Sequence, residues 1–434
     1  MMLLPSLEQY VPENHPLRRL NRVLDLSFVH DAVRDRYCQN NGRGSIDPEV
    51  VVRLFLLQAI EGIGQVRRLM QHVQVNMAYR LFIGYEADED VPDHSTLSKS
   101  LDRFGEELFD ELFQRSIQQC QRSGLIEGKI LHLDATTIRA DIDRDCVGKP
   151  ESSDVDARFG HFPDGTLKPG YKQQTVADGK SRVIVAVEVL PANESEHETA
   201  IAVIESAMKH LDHPPEVVCA DGAYGSGENK AALEKKGIRL VSPPPKAVTY
   251  TGNDHFTVED FVYDESRDEF VCPAGATLVY AGGVKARPKQ RRYRAGKKVC
   301  GQCSLKVQCT RATQRQLKVG THHAALIRLR ADSKTEDFQQ LYRGRAPAIE
   351  GVFAEAKEQH GLRRAWRRGL SRMRIQCLLI AAVINFKRLI TLFWYPTTDF
   401  QTLDNVLNRY WMTIATFYQE IRVASHLTPK TCLK

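Results

Sequence analysis

Apolar residues recur at helical spacing through the first 125 or so positions. They give way to short β-like runs from Lys129 and return to helical spacing after Lys334. In the first stretch, Asp47-Pro48 precedes an apolar segment over 49–60. That predicts a buried helix started by an Asp cap and a first-turn proline. Gly62 and Gly64 break the pattern, and a basic helix is expected over 65–73. Helix, glycine turn, helix suits a DNA-binding helix-turn-helix and equally a plain helical hairpin. Pro92-Asp93-His94-Ser95 predicts the cap of a further helix running past Phe104.

The middle of the chain reads differently. Strands are expected over 130–136, 170–177, 181–190, 216–220 and 238–241, with helices over 199–211 and 230–236. Asp178-Gly179-Lys180 is the turn between the second and third strands, and the polar stretch 141–169 reads as a long loop. This order predicts an α/β core with a mixed sheet. Pro243-Pro244-Pro245 closes it, short strands and basic loops follow to about residue 330, and helices return over 350–360 and 371–393.

Composition narrows the class. Of 434 residues, 42% are hydrophobic and 26% charged, which excludes a disordered, collagenous or coiled-coil chain. Ten cysteines are too few for a disulfide scaffold. The start lacks the basic and apolar regions of a signal peptide, and the apolar run 377–394 is interrupted by Asn385, Lys387 and Arg388. A cytoplasmic protein with no membrane partner is expected.

Three acids are candidates for chemistry. Asp134 and Asp221 end predicted strands, where open α/β sheets keep their sites, and Glu350 lies on the first helix after the cysteine-containing region. Converging carboxylates need a cation, and hard oxygen ligands favour Mg²⁺ or Mn²⁺. Two such ions can support phosphodiester displacement. His132 shares the strand face of Asp134, and a packed histidine is the expectation there.

At this point the chain resembles bacterial insertion-sequence transposases of the DDE class. His132-Leu133-Asp134-Ala135-Thr136 is similar to the family's first-Asp strand, and Cys219-Ala220-Asp221-Gly222-Ala223-Tyr224 to its second-Asp motif. Gly170-Tyr171-Lys172 and the stretch to Pro191-Ala192-Asn193 resemble the intervening strands. Tyr342, Arg345, Glu350 and Lys357 resemble the family's Y-(2)-R-(3)-E-(6)-K signature, with four residues rather than three between Arg345 and Glu350. Val11 to Arg18 and Pro92 to Leu97 resemble the helical domain that precedes the catalytic core.

The resemblance implies an RNase H-like mixed-sheet catalytic core with an α-helical N-terminal domain and a small cysteine-containing insertion. The expected division is a DNA-binding domain over 1–125, the core over 126–243, the insertion over 244–333, the catalytic-Glu helix and basic helices over 334–395, and a tail over 396–434. It further implies Asp134, Asp221 and Glu350 as holders of two Mg²⁺ or Mn²⁺ ions. Lys357, with Arg345 or Arg343, and Tyr342 would lie near the DNA phosphate. Glu358 is the rival acid, because Glu355 lies about 140° round the helix from Glu350. The implied activity is binding of terminal inverted repeats, cleavage and strand transfer into target DNA by a homodimer in a synaptic complex. A nuclease without strand transfer and a catalytically inactive DNA-binding descendant are the alternatives.

Two further clusters bear on partners. Cys272, Cys300, Cys303 and Cys309 include a Cys-x₂-Cys pair, which suits a structural zinc site, reduced free thiols or disulfides. Arg363, Arg364, Arg367, Arg368, Arg372 and Arg374 fall in a stretch without an acid, and a second basic run spans 285–298. Both suit DNA phosphate, with Trp366 and Tyr293 as candidate stacking residues.

Overall fold

A computed structural model describes residues 6–36, 46–246, 255–284 and 287–394. The expected tail 396–434 and Lys285 lie outside the described residues. Along the chain run α1 (Pro16–Val23), α2 (Val29–Val33), α3 (Pro48–Ile60), α4 (Val66–Val75), α5 (Met77–Ile83) and α6 (His94–Arg122). Then come β1 (Ile130–Arg139), β2 (Arg158–His161), β3 (Leu167–Asp178), β4 (Ile184–Pro191), α7 (Glu196–Met208), β5 (Val217–Ala220), α8 (Gly227–Glu234) and β6 (Arg239–Val241). The insertion holds β7 (Val262–Asp264), β8 (Glu269–Val271), β9 (Thr277–Val284), β10 (Arg287–Arg294), α9 (Lys297–Gly301), α10 (Lys306–Cys309) and β11 (Gln316–Gly320). The last helices are α11 (His323–Asp332), α12 (Glu336–Glu358) and α13 (Leu370–Trp394).

The chain divides into two compact units. The first comprises 1–126, 356–367 and 371–434, and the second 127–355 with 368–370. The span 334–395 is therefore shared between them.

The first unit is helical. Asp47 caps α3 by accepting the Glu49 N–H at 2.7 Å, Pro48 fills the first turn, and nine of its residues are buried. Gly62, in the turn to α4, has φ +60°, and a Cβ there would stand 2.7 Å from the Gln359 carbonyl oxygen, so only glycine fits. Asp93 caps α6 through the Ser95 N–H, and the helix is interrupted at Gly105, where φ is 71°. Helix α13 is tied to α6 by Asn385, whose side chain donates to the Ser116 hydroxyl at 3.1 Å. The stretch Leu370–Leu392 is long and apolar enough to cross a bilayer, yet 94% of its most apolar window is buried inside the protein.

The second unit holds the mixed sheet in the RNase H-like order. Strand β1 is central, antiparallel to β3 and parallel to β5, while β6 is parallel to β5 and β4 antiparallel to β3. The stretch read as a loop contains β2, an edge strand paired with the start of β3. Asp178 builds the β3–β4 turn, accepting the Gly128 N–H at 2.8 Å and the Ser181 N–H at 2.9 Å. The insertion is an antiparallel meander in the order β11-β10-β9-β8-β7. It has its own apolar core of Phe261, Phe270, Leu278, Tyr293, Ala295, Leu317 and Val319.

Candidate active site

The pairing of β1 with β5 places the two aspartates. Leu133 is in register with Ala220, so Asp134, midway along β1, and Asp221, the residue that follows β5, come side by side. Asp134 accepts the Ala135 N–H on Oδ1 at 2.8 Å and the Arg345 guanidinium on Oδ2 at 2.8 Å. Asp221 caps the short turn Gly222–Tyr224, accepting the Ala223 N–H at 2.9 Å. Burial raises both carboxyls above their ordinary range. Asp221 pushes Asp134 further up, and Glu196 does the same to Asp221, while Arg345 opposes the rise in both. This is a site short of positive charge.

Helix α12 carries the third acid. Glu350 is exposed, and Arg345 Nη2 stands 3.8 Å from its Oε1. Arg345 thus reaches both Asp134 and Glu350. The five-residue step from Arg345 to Glu350 turns the two Cα positions about 140° apart, and the long guanidinium side chain spans the difference. Arg345 is buried, and it lies 5.6 Å from the Tyr342 ring centroid. Arg343 is exposed instead, so of the two signature arginines Arg345 lies among the acids. His132 is buried and its imidazole is pushed down to about 4, by burial first and Arg345 second, which makes it a neutral packed residue.

Sequence reasoning missed the groups behind Asp221. Glu196, in the first turn of α7, pairs with Lys172 at 3.1 Å and receives the Tyr224 hydroxyl at 3.4 Å. Gln174 donates to the Tyr224 hydroxyl at 3.2 Å and accepts from Thr199 at 2.7 Å. The buried, hydrogen-bonding Tyr224 within the second-Asp motif was the available signal.

The outer candidates separate by environment. Arg364 and Arg368 are exposed, and Lys357 is half-buried. Arg363 pairs with Glu358, both well exposed, and such a pair contributes little. Arg367 is half-buried 6.0 Å from the Phe55 ring centroid, and burial lowers its pKa. The acid-free stretch finds acids elsewhere, as Arg372 meets Asp102 at 2.9 Å and Arg374 meets Glu106 at 3.0 Å.

Neither stacking candidate is free. Tyr293 is 1% exposed and its hydroxyl donates to Asp268 at 2.6 Å. Trp366 lies against Gly64, where a Cβ would come within 3.2 Å of the indole.

The four insertion cysteines line one cavity of about 250 Å³. The Ala276 N–H points at Cys272 Sγ at 3.3 Å and the Arg315 N–H at Cys300 Sγ at 3.4 Å. All four are unbridged. As the side chains stand, no three of His, Cys, Asp and Glu among the described residues could hold one metal ion. In the acidic site the donor type fits a hard cation, and Arg345 lies between Asp134 and Glu350.

The model "Transposase domain (DUF772)" matches residues 5–103 and the model "Transposase DDE domain" matches 271–390, together half of the chain. The chain belongs to the DDE transposases. It is thereby an enzyme of phosphodiester cleavage and transesterification, and membership implies divalent-metal chemistry. No curated protein matches it.

Similar solved structures include the piggyBac transposase synaptic complex with hairpin DNA. That match has 10% identity, a TM-score of 0.35, and covers 95% of this chain and 80% of that one. The Mos1 transposase paired-end complex matches with 11% identity, a TM-score of 0.18, and 46% and 61% coverage. The assignment rests on the family models.

Proposed function

We propose that this transposase binds the terminal inverted repeats of its own element, hydrolyses a phosphodiester at each end and joins the exposed 3′-hydroxyl to target DNA. The observation that carries this reading is that Asp134, midway along β1, stands beside Asp221, the residue after β5, with Glu350 linked to Asp134 through Arg345. Asp134, Asp221 and Glu350 are the residues that would hold two Mg²⁺ or Mn²⁺ ions. Such a pair, when bound, activates an attacking hydroxyl and stabilises the leaving oxygen. In the second unit Tyr342 and the exposed Arg343 and Arg368, and in the first unit Lys357, Arg363, Arg364 and Arg367, would each bind DNA phosphate. Two ends must be joined, so a homodimer in a synaptic complex is the working form, acting on DNA in the cytoplasm.

Repeat recognition falls to the first unit. Arg67, Arg68, Gln71 and Gln74 are all exposed on α4, a helix without an acid. Arginine and glutamine read guanine and adenine edges in the major groove. This favours the helix-turn-helix reading of α3 and α4 over the plain hairpin.

The insertion is proposed to hold a structural zinc on Cys272, Cys300, Cys303 and Cys309. The shared cavity and the two N–H groups aimed at sulfur support it. Binding requires the thiols to come closer together than they stand. Metal analysis of the purified protein is expected to find zinc, lost on Cys300→Ser with Cys303→Ser. Protein free of zinc with reduced thiols rejects the proposal.

The main reading is tested with Asp134→Asn on a plasmid carrying the repeats that flank the gene. Cleavage is expected to vanish while repeat binding persists. Cleavage at the wild-type rate rejects the site. A wild-type enzyme that cuts but never joins pre-cleaved ends is a nuclease instead.

A further inference from the structure

Among the described residues of the second unit, Arg345 is the cation seated between the proposed metal-holding acids, and its surroundings show a side chain placed to leave. Its Nη1 lies 2.8 Å from Asp134 Oδ2 and its Nη2 3.8 Å from Glu350 Oε1. The other Asp134 oxygen already accepts the Ala135 N–H. A divalent cation on Asp134 and Glu350 would have to share this space with a guanidinium, and like charges at such range repel, most strongly on the side of Asp134, which is 15% exposed against 63% for Glu350.

The present seat is also incomplete. Arg345 Nε is buried and has no hydrogen-bond partner, an unfavourable state for a charged donor. A phosphate offers the fork of donors a better set of acceptors.

The helix around it is weakened on both sides. Gly344 precedes it with open space about its Cα. Pro347 follows inside α12 and removes the N–H that the Arg343 carbonyl would accept. An open cleft of about 400 Å³, lined by His132, Lys180, Gln340 and Gly344 among others, borders this turn at Gly344.

We propose that Arg345 is a resident counter-ion that keeps the metal site closed in DNA-free protein and moves to a DNA phosphate when the substrate binds. Resting on the reading of Asp134, Asp221 and Glu350 given above, it assigns that site a regulation. Metal and DNA then promote each other's binding, because linkage is reciprocal. The free protein is poorly loaded with metal and does not cut DNA indiscriminately.

The test is Mn²⁺ titration of the full-length, DNA-free protein followed by electron paramagnetic resonance. Arg345→Gln is expected to bind Mn²⁺ about tenfold more tightly than wild type, within the usual range of coupled sites. Arg345→Lys, which keeps a charge but not the two-pronged reach, is expected between them and serves if the Gln variant fails to fold. Equal or weaker binding in the variants overturns the proposal, as does a merely supporting role in which Arg345 orients Asp134 for metal. Asp134→Asn added to Arg345→Gln is expected to lose the gained affinity. If the double variant binds as tightly as Arg345→Gln, the assignment of Asp134 as a ligand fails.

Discussion

Arg345 and Asp134 stand 211 positions apart in the sequence and meet in an ion pair of 2.8 Å. The pair joins the central strand of the sheet to the helix that carries Glu350. It makes the site's electrostatics legible: two half-buried aspartates with raised pKa values, and one guanidinium opposing both. Every charge change here alters the balance on which metal and phosphate binding depend.

Neutralising either aspartate separates catalysis from folding. Asp221→Asn keeps the shape of the side chain and removes a charge that burial disfavours. The variant is expected to melt at or above the wild-type temperature while its cleavage rate falls by about a thousandfold or more. Calorimetry and a plasmid cleavage assay check the two halves.

Helix α4 is expected to divide affinity from sequence reading. Arg67→Ala and Arg68→Ala weaken binding to all duplexes and reduce the salt slope by about one for each phosphate left without its arginine. Gln71→Ala narrows the gap between repeat and random DNA by about 1–3 kcal/mol if it reads a base edge. Fluorescence anisotropy across a salt series measures both.

Gly62 has a backbone conformation other residues resist, and its neighbour is backbone rather than a flexible side chain. Gly62→Ala is expected to destabilise the helical unit by about 1–3 kcal/mol. Urea unfolding of the full chain reports the loss.

Much of this was readable in advance, for physical reasons that differ by residue. Asp47-Pro48 and Asp93 marked their helix starts because capping chemistry is local. Asp134 and Asp221 ended apolar runs, and a parallel pair of strands brought them together.

The return of helical spacing after Lys334 marked the start of α12 at Glu336, but its continuity through to Glu350 was not readable, since Gly344 and Pro347 interrupt the pattern well inside the helix. Tyr293 looked exposed among cations because β10 alternates faces, sending it into the insertion's core. The arginine stretch looked unpaired because Asp102 and Glu106 lie far away in sequence. Long-range pairing of this kind leaves no local trace.

His323 gives the insertion a pH dependence. It is buried, 5.5 Å from the Tyr263 ring and 5.2 Å from that of Phe270, and burial, aided by Arg330, pushes its imidazole down to about 4. The unfolded chain takes up a proton near 6.5, whereas the folded one does so only near 4. Its contribution is therefore fully present above pH 6.5 and is lost as pH falls towards 4. Melting temperature is expected to drop over that window, and His323→Phe to flatten the drop.

The central claim is that Asp134, Asp221 and Glu350 act together in strand transfer. Its most direct test is the joining of pre-cleaved repeat ends to a target plasmid by wild type, Glu350→Gln and Glu358→Gln. Wild type and Glu358→Gln are predicted to yield joined product, and Glu350→Gln none. Joining by Glu350→Gln at the wild-type rate would contradict the account.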